Sequence, residues 1–145
     1  MSEALRYPRT RYEPSPLIDL NDQGERVRLS GGALRAFFNI MAKWQVKDDD
    51  AKALLGGISN GAFYALKKTP DRTLDTDTLT RISYLVGIFK ALHILYGDDL
   101  ADKWISLPNK NRIFHGLTPL AFIQAGGLLS FQTVRRLLDA RRGGV

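Results

Sequence analysis

Between Asp75 and Gly97, the apolar residues Leu79, Ile82, Leu85, Val86, Phe89, Leu92 and Tyr96 recur every three or four positions. That is the period of an α-helix. They cover more than one stripe of the helix surface, so a helix here must pack on more than one side. It touches both halves of the chain or a second subunit. Asp75, Thr76 or Asp77 offers its N-cap and Gly97 its end. A spine of this length in a chain of 145 residues dictates the plan, because everything before and after it must be arranged around it.

The flanking sequence reads as shorter helices punctuated by caps and turns. Pro8, Pro14 and Pro16, followed by the turn cluster Asn21-Asp22-Gln23-Gly24, predict a poorly ordered arm over residues 1–30. Ser30 is placed to cap a first helix whose apolar positions are Leu34, Phe37, Phe38, Met41 and Trp44. Asp48, Asp49 and Asp50 complement the start of a helix to Leu55, which Gly56-Gly57 ends. Ser59 caps a helix to about Lys68, and Thr69-Pro70-Asp71-Arg72 is a turn. After the spine, Asp98 or Asp99 opens a short helix to Ile105, and Thr118 caps another with Pro119 in its first turn. Gly126-Gly127 ends it. Ser130 is expected to cap the last helix, with Phe131, Val134, Leu137 and Leu138 turned inward. No segment alternates with the period of a strand, so the expected fold is all-α. Its divisions are the arm, a bundle over 31–76, the connecting helix over 77–97 and a small helical domain over 98–145.

Composition narrows the function. Cysteine is absent, which removes disulfides and thiolate metal sites. The two histidines, His93 and His115, form no metal-binding pair, and neither stands beside an obvious nucleophile. The glycine pairs lie where helices start or stop and fit no phosphate loop. No enzyme activity, cofactor or metal is therefore expected. No uninterrupted apolar run approaches membrane-spanning length, and a cytoplasmic location is expected. The net charge is +6, yet the first 32 residues carry five basic and five acidic groups. The excess lies downstream, at Lys67, Lys68 and Arg72 and at Arg135, Arg136, Arg141 and Arg142, and suits nucleic acid or an acidic protein surface.

The stretch Asp48–Lys68 has helix-turn-helix grammar: a helix of about two turns, a glycine turn, then a second short helix. The second helix would present Ser59, Asn60, Ala62, Phe63 and Lys67 on an exposed face, with Lys68 and Arg72 nearby. Ser and Asn reach base edges or phosphates, and Lys and Arg suit phosphates. Downstream, Trp104 and Phe114 are large anchors for a small subdomain. The four C-terminal arginines cannot all be buried, so they form a solvated or partner-binding face.

In these residues the chain resembles the Xre/MbcA/ParS antitoxin family, the partners of RES-domain toxins. Trp104, Pro108-Asn109, Phe114, Gly116, Thr118-Pro119-Leu120, Gly126 and the helix Phe131–Arg142 carry the resemblance in the last 45 residues. Leu54-Leu55-Gly56, Ile58-Ser59, Leu74, Arg81-Ile82 and Ile88 resemble the Xre-type DNA-binding half. The resemblance implies an N-terminal half that binds the operator of its own operon. It implies a C-terminal half that covers the NAD site of the toxin, NAD being the toxin's substrate and not a cofactor of this chain. Toxin contact is then expected from Arg135, Arg136, Asp139, Arg141, Arg142, Gly143, Gly144 and Val145, and a homodimer within a larger toxin–antitoxin complex is expected. A stand-alone helix-turn-helix regulator with a C-terminal dimerisation domain is the alternative.

Overall fold

A computed structural model describes residues 18–143. Those residues form seven α-helices and two 3-10 turns, with no strand among them. The all-α expectation holds. The helices are α1 (Gln23–Trp44), α2 (Asp48–Leu54), α3 (Asn60–Lys68), α4 (Thr76–Leu95), α5 (Asp98–Lys103), α6 (Pro119–Gly126) and α7 (Leu128–Arg141). The 3-10 turns are Trp104–Ser106 and Arg112–Phe114.

The first helix starts earlier than the sequence suggested. Asp22 is its N-cap and accepts a hydrogen bond from the Gly24 N–H at 3.2 Å. The cluster read as a turn is thus a helix start, and residues 23–30 are helical rather than a loose arm; residues 1–17 lie outside the described part. Ser30 is not a cap. It sits inside α1, 1% exposed, where its hydroxyl donates to the Arg26 carbonyl at 2.5 Å and accepts from the Leu74 N–H at 2.8 Å. A short polar side chain can satisfy an entering strand of backbone from a helix interior. Ser30 in this way pins the approach to α4 against α1.

Gly56 and Gly57 stop α2 with φ of 95° and 79°, a region open to glycine at little cost. The Ser59 hydroxyl accepts from the Ala62 N–H at 3.2 Å and starts α3. Asp75 caps α4 by accepting from the Thr78 N–H at 2.8 Å.

Helix α4 is the spine. It packs against α1 on one side and α7 on the other, and Leu79, Ile82, Leu85, Ile88, Ala91 and Leu92 are buried along it. By length and apolar composition alone it would be long enough to cross a membrane. Its two packed faces explain that composition as those of a core helix. On the α1 side Trp44 lies 6.2 Å from Phe89; on the α7 side Tyr84 stacks on Phe131 at 6.5 Å. At its C-terminal end, His93 reaches Asp98 at 3.1 Å and Asp102 at 2.8 Å, joining α4 to α5.

The C-terminal subdomain is organised as its anchors implied. Trp104 meets Phe114 edge to face at 5.9 Å, and Phe114 meets Phe122 at 5.3 Å. Thr118 caps α6 through the Ala121 N–H at 3.1 Å, with Pro119 in the first turn. Ser130 again is not the cap expected of it. α7 begins at Leu128, and buried Ser130 has its hydroxyl 2.9 Å from the Ile123 carbonyl. The α6–α7 crossing is so tight that a Cβ on Gly126 would lie 2.7 Å from that of Ser130. The helix therefore cannot wait for Ser130 to begin: the side chain is taken up in closing the corner.

Candidate functional site

Two surfaces carry the polar residues that the sequence singled out. The first is α3 with the end of α2. Asn60, Gly61, Tyr64, Lys67 and Lys68 are all exposed on α3 and share one face by helical spacing. Ser59, expected to reach outward, spends its hydroxyl on the Ala62 N–H, though the residue stays exposed. Asn60 accepts a hydrogen bond from Lys52 of α2. Lys67 lies 3.1 Å from Asp48, with its ammonium 6.0 Å above the Phe63 ring. Lys68 and Arg72 are exposed, with no ion pair among the described residues.

Phe63 is the correction on this face. Helical spacing puts it on the exposed face, but it is 1% exposed and packs edge to face on Phe38 at 5.7 Å. An aromatic ring on so short a helix is worth more in the core than in water, and it is the residue that seats α3 on α1. Tyr64 takes the exposed place. It is 51% exposed, and its hydroxyl donates to Asp48 at 3.3 Å. Its position one turn after Asn60 was the available signal; adjacent to Phe63, it looked equally like core.

One acid of α2, Asp48, answers this face. Asp48 takes both Lys67 and Tyr64, and Asp49 takes Lys52 at 2.8 Å. Hydrogen bonding and charge from Lys52 hold the Asp49 carboxyl below its ordinary value. Asp50 accepts from Gln124 of α6 at 3.0 Å, so the C-terminal subdomain touches α2 directly.

The second surface is α7. Its arginines do not form one face. Arg135 turns inward: its guanidinium lies across Gly87 of α4, where a Cβ would come within 2.9 Å of Cζ, and it donates to Asp139 at 3.1 Å. Arg136 points to solvent. Arg141 donates to the Tyr96 hydroxyl at 3.2 Å, tying the end of α7 to the end of α4. Arg142 approaches the same Asp139 at 3.6 Å. Gly143 follows with φ 74°; Gly144 and Val145 lie outside the described residues. The structure adds Leu129, 75% exposed at the start of α7 and on the same outward face as Arg136 by helical spacing. Nothing in its local pattern separates it from the less exposed Leu128.

The fold is thus a helix-turn-helix bundle that shares its long helix with a second small helical domain. Comparison with known proteins agrees half by half. A family model described as the antitoxin Xre-like helix-turn-helix domain matches residues 22–87. A second, the antitoxin Xre/MbcA/ParS C-terminal toxin-binding domain, matches residues 91–144. The chain belongs to the Xre/MbcA/ParS antitoxin family. It is also 39% identical over 112 residues to the uncharacterized protein y4oB of Sinorhizobium fredii (strain NBRC 101917 / NGR234), covering 77% of this chain and 84% of that one. No solved structure matches significantly.

Proposed function

We propose that this antitoxin neutralises a RES-domain, NAD-consuming toxin by covering its active site and represses its own operon by binding operator DNA. The carrying observation is that the two family matches fall one on each half of a chain whose halves pack on a shared helix. On this reading the α3 face, with Ser59, Asn60, Lys67, Lys68 and Arg72, meets DNA, and Tyr64 joins it. The outward face and end of α7, with Arg136, Arg141, Arg142 and the residues after them, meet the toxin. Arg135 and Asp139 hold that end against α4. The protein acts by occupancy, without chemistry of its own, in the cytoplasm.

A homodimer within the toxin complex suits an operator with two half-sites.

The test is co-expression with a RES-domain toxin. The full chain should restore growth and co-purify with the toxin, and a chain lacking residues 98–145 should do neither. Undiminished rescue by the truncated chain would show that the toxin docks elsewhere.

A further inference from the structure

We propose that Asp48 is an internal stand-in for a DNA backbone phosphate, seated on the two groups of α3 that would hold one. The proposal rests on the DNA-binding reading above and adds to it how strongly that face engages DNA. Lys67 Nζ lies 3.1 Å from one oxygen of the Asp48 carboxylate, and the Tyr64 hydroxyl donates to the other at 3.3 Å. An ammonium and a hydroxyl converging on two anionic oxygens are the donor set that protein–DNA interfaces use for phosphate. Both donors are reachable: Tyr64 is 51% exposed and the Lys67 side chain 49%.

The pair is also unlike the others in the molecule. Among the described residues, every other ion pair made by a lysine or arginine joins residues three or four apart within one helix or its C-cap. Such pairs form in any isolated helix. Lys67 and Asp48 are 19 positions apart and meet only because α3 is folded against α2. The acid is therefore held by the helix-turn-helix itself at the face meant for DNA.

A half-exposed pair of this kind is weak, so a phosphate can displace the carboxylate. It must do so against a fixed negative charge beside the lysine. The consequence is a penalty on any duplex, made up only where further contacts, from Ser59 and Asn60 or from Lys68 and Arg72, are available. Asp48 thereby holds down indiscriminate attachment to DNA by a chain of net charge +6.

Four full-length proteins test this: wild type, Asp48→Asn, Lys67→Met and the double variant. Each is titrated by fluorescence anisotropy against its own promoter duplex and an unrelated duplex of equal length, at several salt concentrations. Asn keeps the size of Asp, and equal melting temperatures confirm that the fold is kept. Asp48→Asn should bind both duplexes about three- to tenfold more tightly than wild type, with a salt dependence steeper by about one released counterion. In the Lys67→Met background the same change should give no gain. A gain of equal size in both backgrounds would mean a general field effect, and no gain in either would mean that Asp48 restrains nothing; each overturns the proposal while leaving DNA binding intact. If none of the four binds either duplex, the DNA-binding reading fails and this proposal falls with it.

Discussion

The outward faces of α3 and α7 are both basic, and they treat their charge differently. Residues 47–72 hold five bases and four acids; Asp48 of α2 meets Lys67 of α3, Asp49 pairs with Lys52 within α2, and Lys68 and Arg72 form no ion pair among the described residues. Residues 135–142 hold four arginines and one acid. Asp139 takes Arg135 and Arg142, Arg141 goes to a tyrosine hydroxyl, and Arg136 is left to solvent. The first surface is close to neutral and suits a ligand that is abundant everywhere, where restraint gives discrimination. The second is strongly positive and suits one protein partner, where an unanswered charge speeds encounter and fixes orientation. Similar residue types thus give one surface nearly balanced in charge, where a single acid guards Lys67, and one with an excess of positive charge, most of it tied to neighbours within the chain.

The largest break in this comparison comes from the helix that both surfaces share. Leu85 is fully buried on α4, and Leu85→Ala should destabilise the protein by about 2–5 kcal/mol, as buried leucine deletions do. Phe89 is only half-buried, and Phe89→Ala should cost less. One cooperative melt, shifted as a whole by Leu85→Ala in calorimetry, is the expected outcome. Two separate transitions would mean that the halves fold independently and that coupling through α4 is absent.

The surfaces can then be separated. Reversing Lys67 and Lys68 together to Glu should weaken promoter binding by about 10- to 100-fold at moderate salt, since both phosphate contacts and their counterion release are lost. Toxin binding should stay as in wild type. A mobility-shift titration beside a toxin pull-down reads both, and equal DNA affinity of mutant and wild type would remove these lysines from the interface. The converse change is smaller in affinity but sharper in function. Removing residues 141–145 takes away two arginines and the chain end while leaving the α6–α7 corner. The complex should weaken no more than about tenfold, because most of the helical surface still docks and energetic hot spots are few. NAD turnover by the bound toxin should nonetheless return. A truncated complex that assembles and consumes no NAD would place inhibition on another part of α7.

Much of this was legible in the residues, with failures of one kind. Capping pairs such as Ser59, Asp75 and Thr118 were readable because a cap depends on the few residues that follow it. Ser30 and Ser130 have the same local grammar, yet both are buried, Ser30 satisfying Leu74 from 44 positions away and Ser130 reaching back to Ile123 across the α6–α7 corner. The site behaved in the same way. Exposure of Lys67 and Lys68 followed from their charge, but the choice between Phe63 and Tyr64 for the core depended on where α1 placed Phe38. Likewise Arg135 looked like its neighbour Arg136 until Gly87 on α4 supplied a notch for it. Partners distant in sequence decide which polar residues are free.

The smallest expected effect tests whether the start of the shared helix contributes equally to both surfaces. Asp75 caps α4, and the hydrogen bonds from Thr78 hold its carboxyl below the usual value, with Arg26 and Arg81 adding to the same direction. A carboxylate whose folded value is lowered stabilises the fold above its unfolded value, near 4. That stabilisation is lost as pH falls from there through the folded value. Asp75 is exposed, so solvent screening keeps its contribution small. Comparing wild type with Asp75→Asn, which retains a capping oxygen but cannot titrate, isolates it. Between about pH 6 and pH 3, wild type should lose slightly more stability than the variant, the difference being confined to the lower end. Because α4 underlies both α1 and α7, the acid-induced loss should appear together in probes on the two halves, Trp44 and Trp104 fluorescence. An effect confined to the Trp44 signal would show that the cap serves the N-terminal bundle alone.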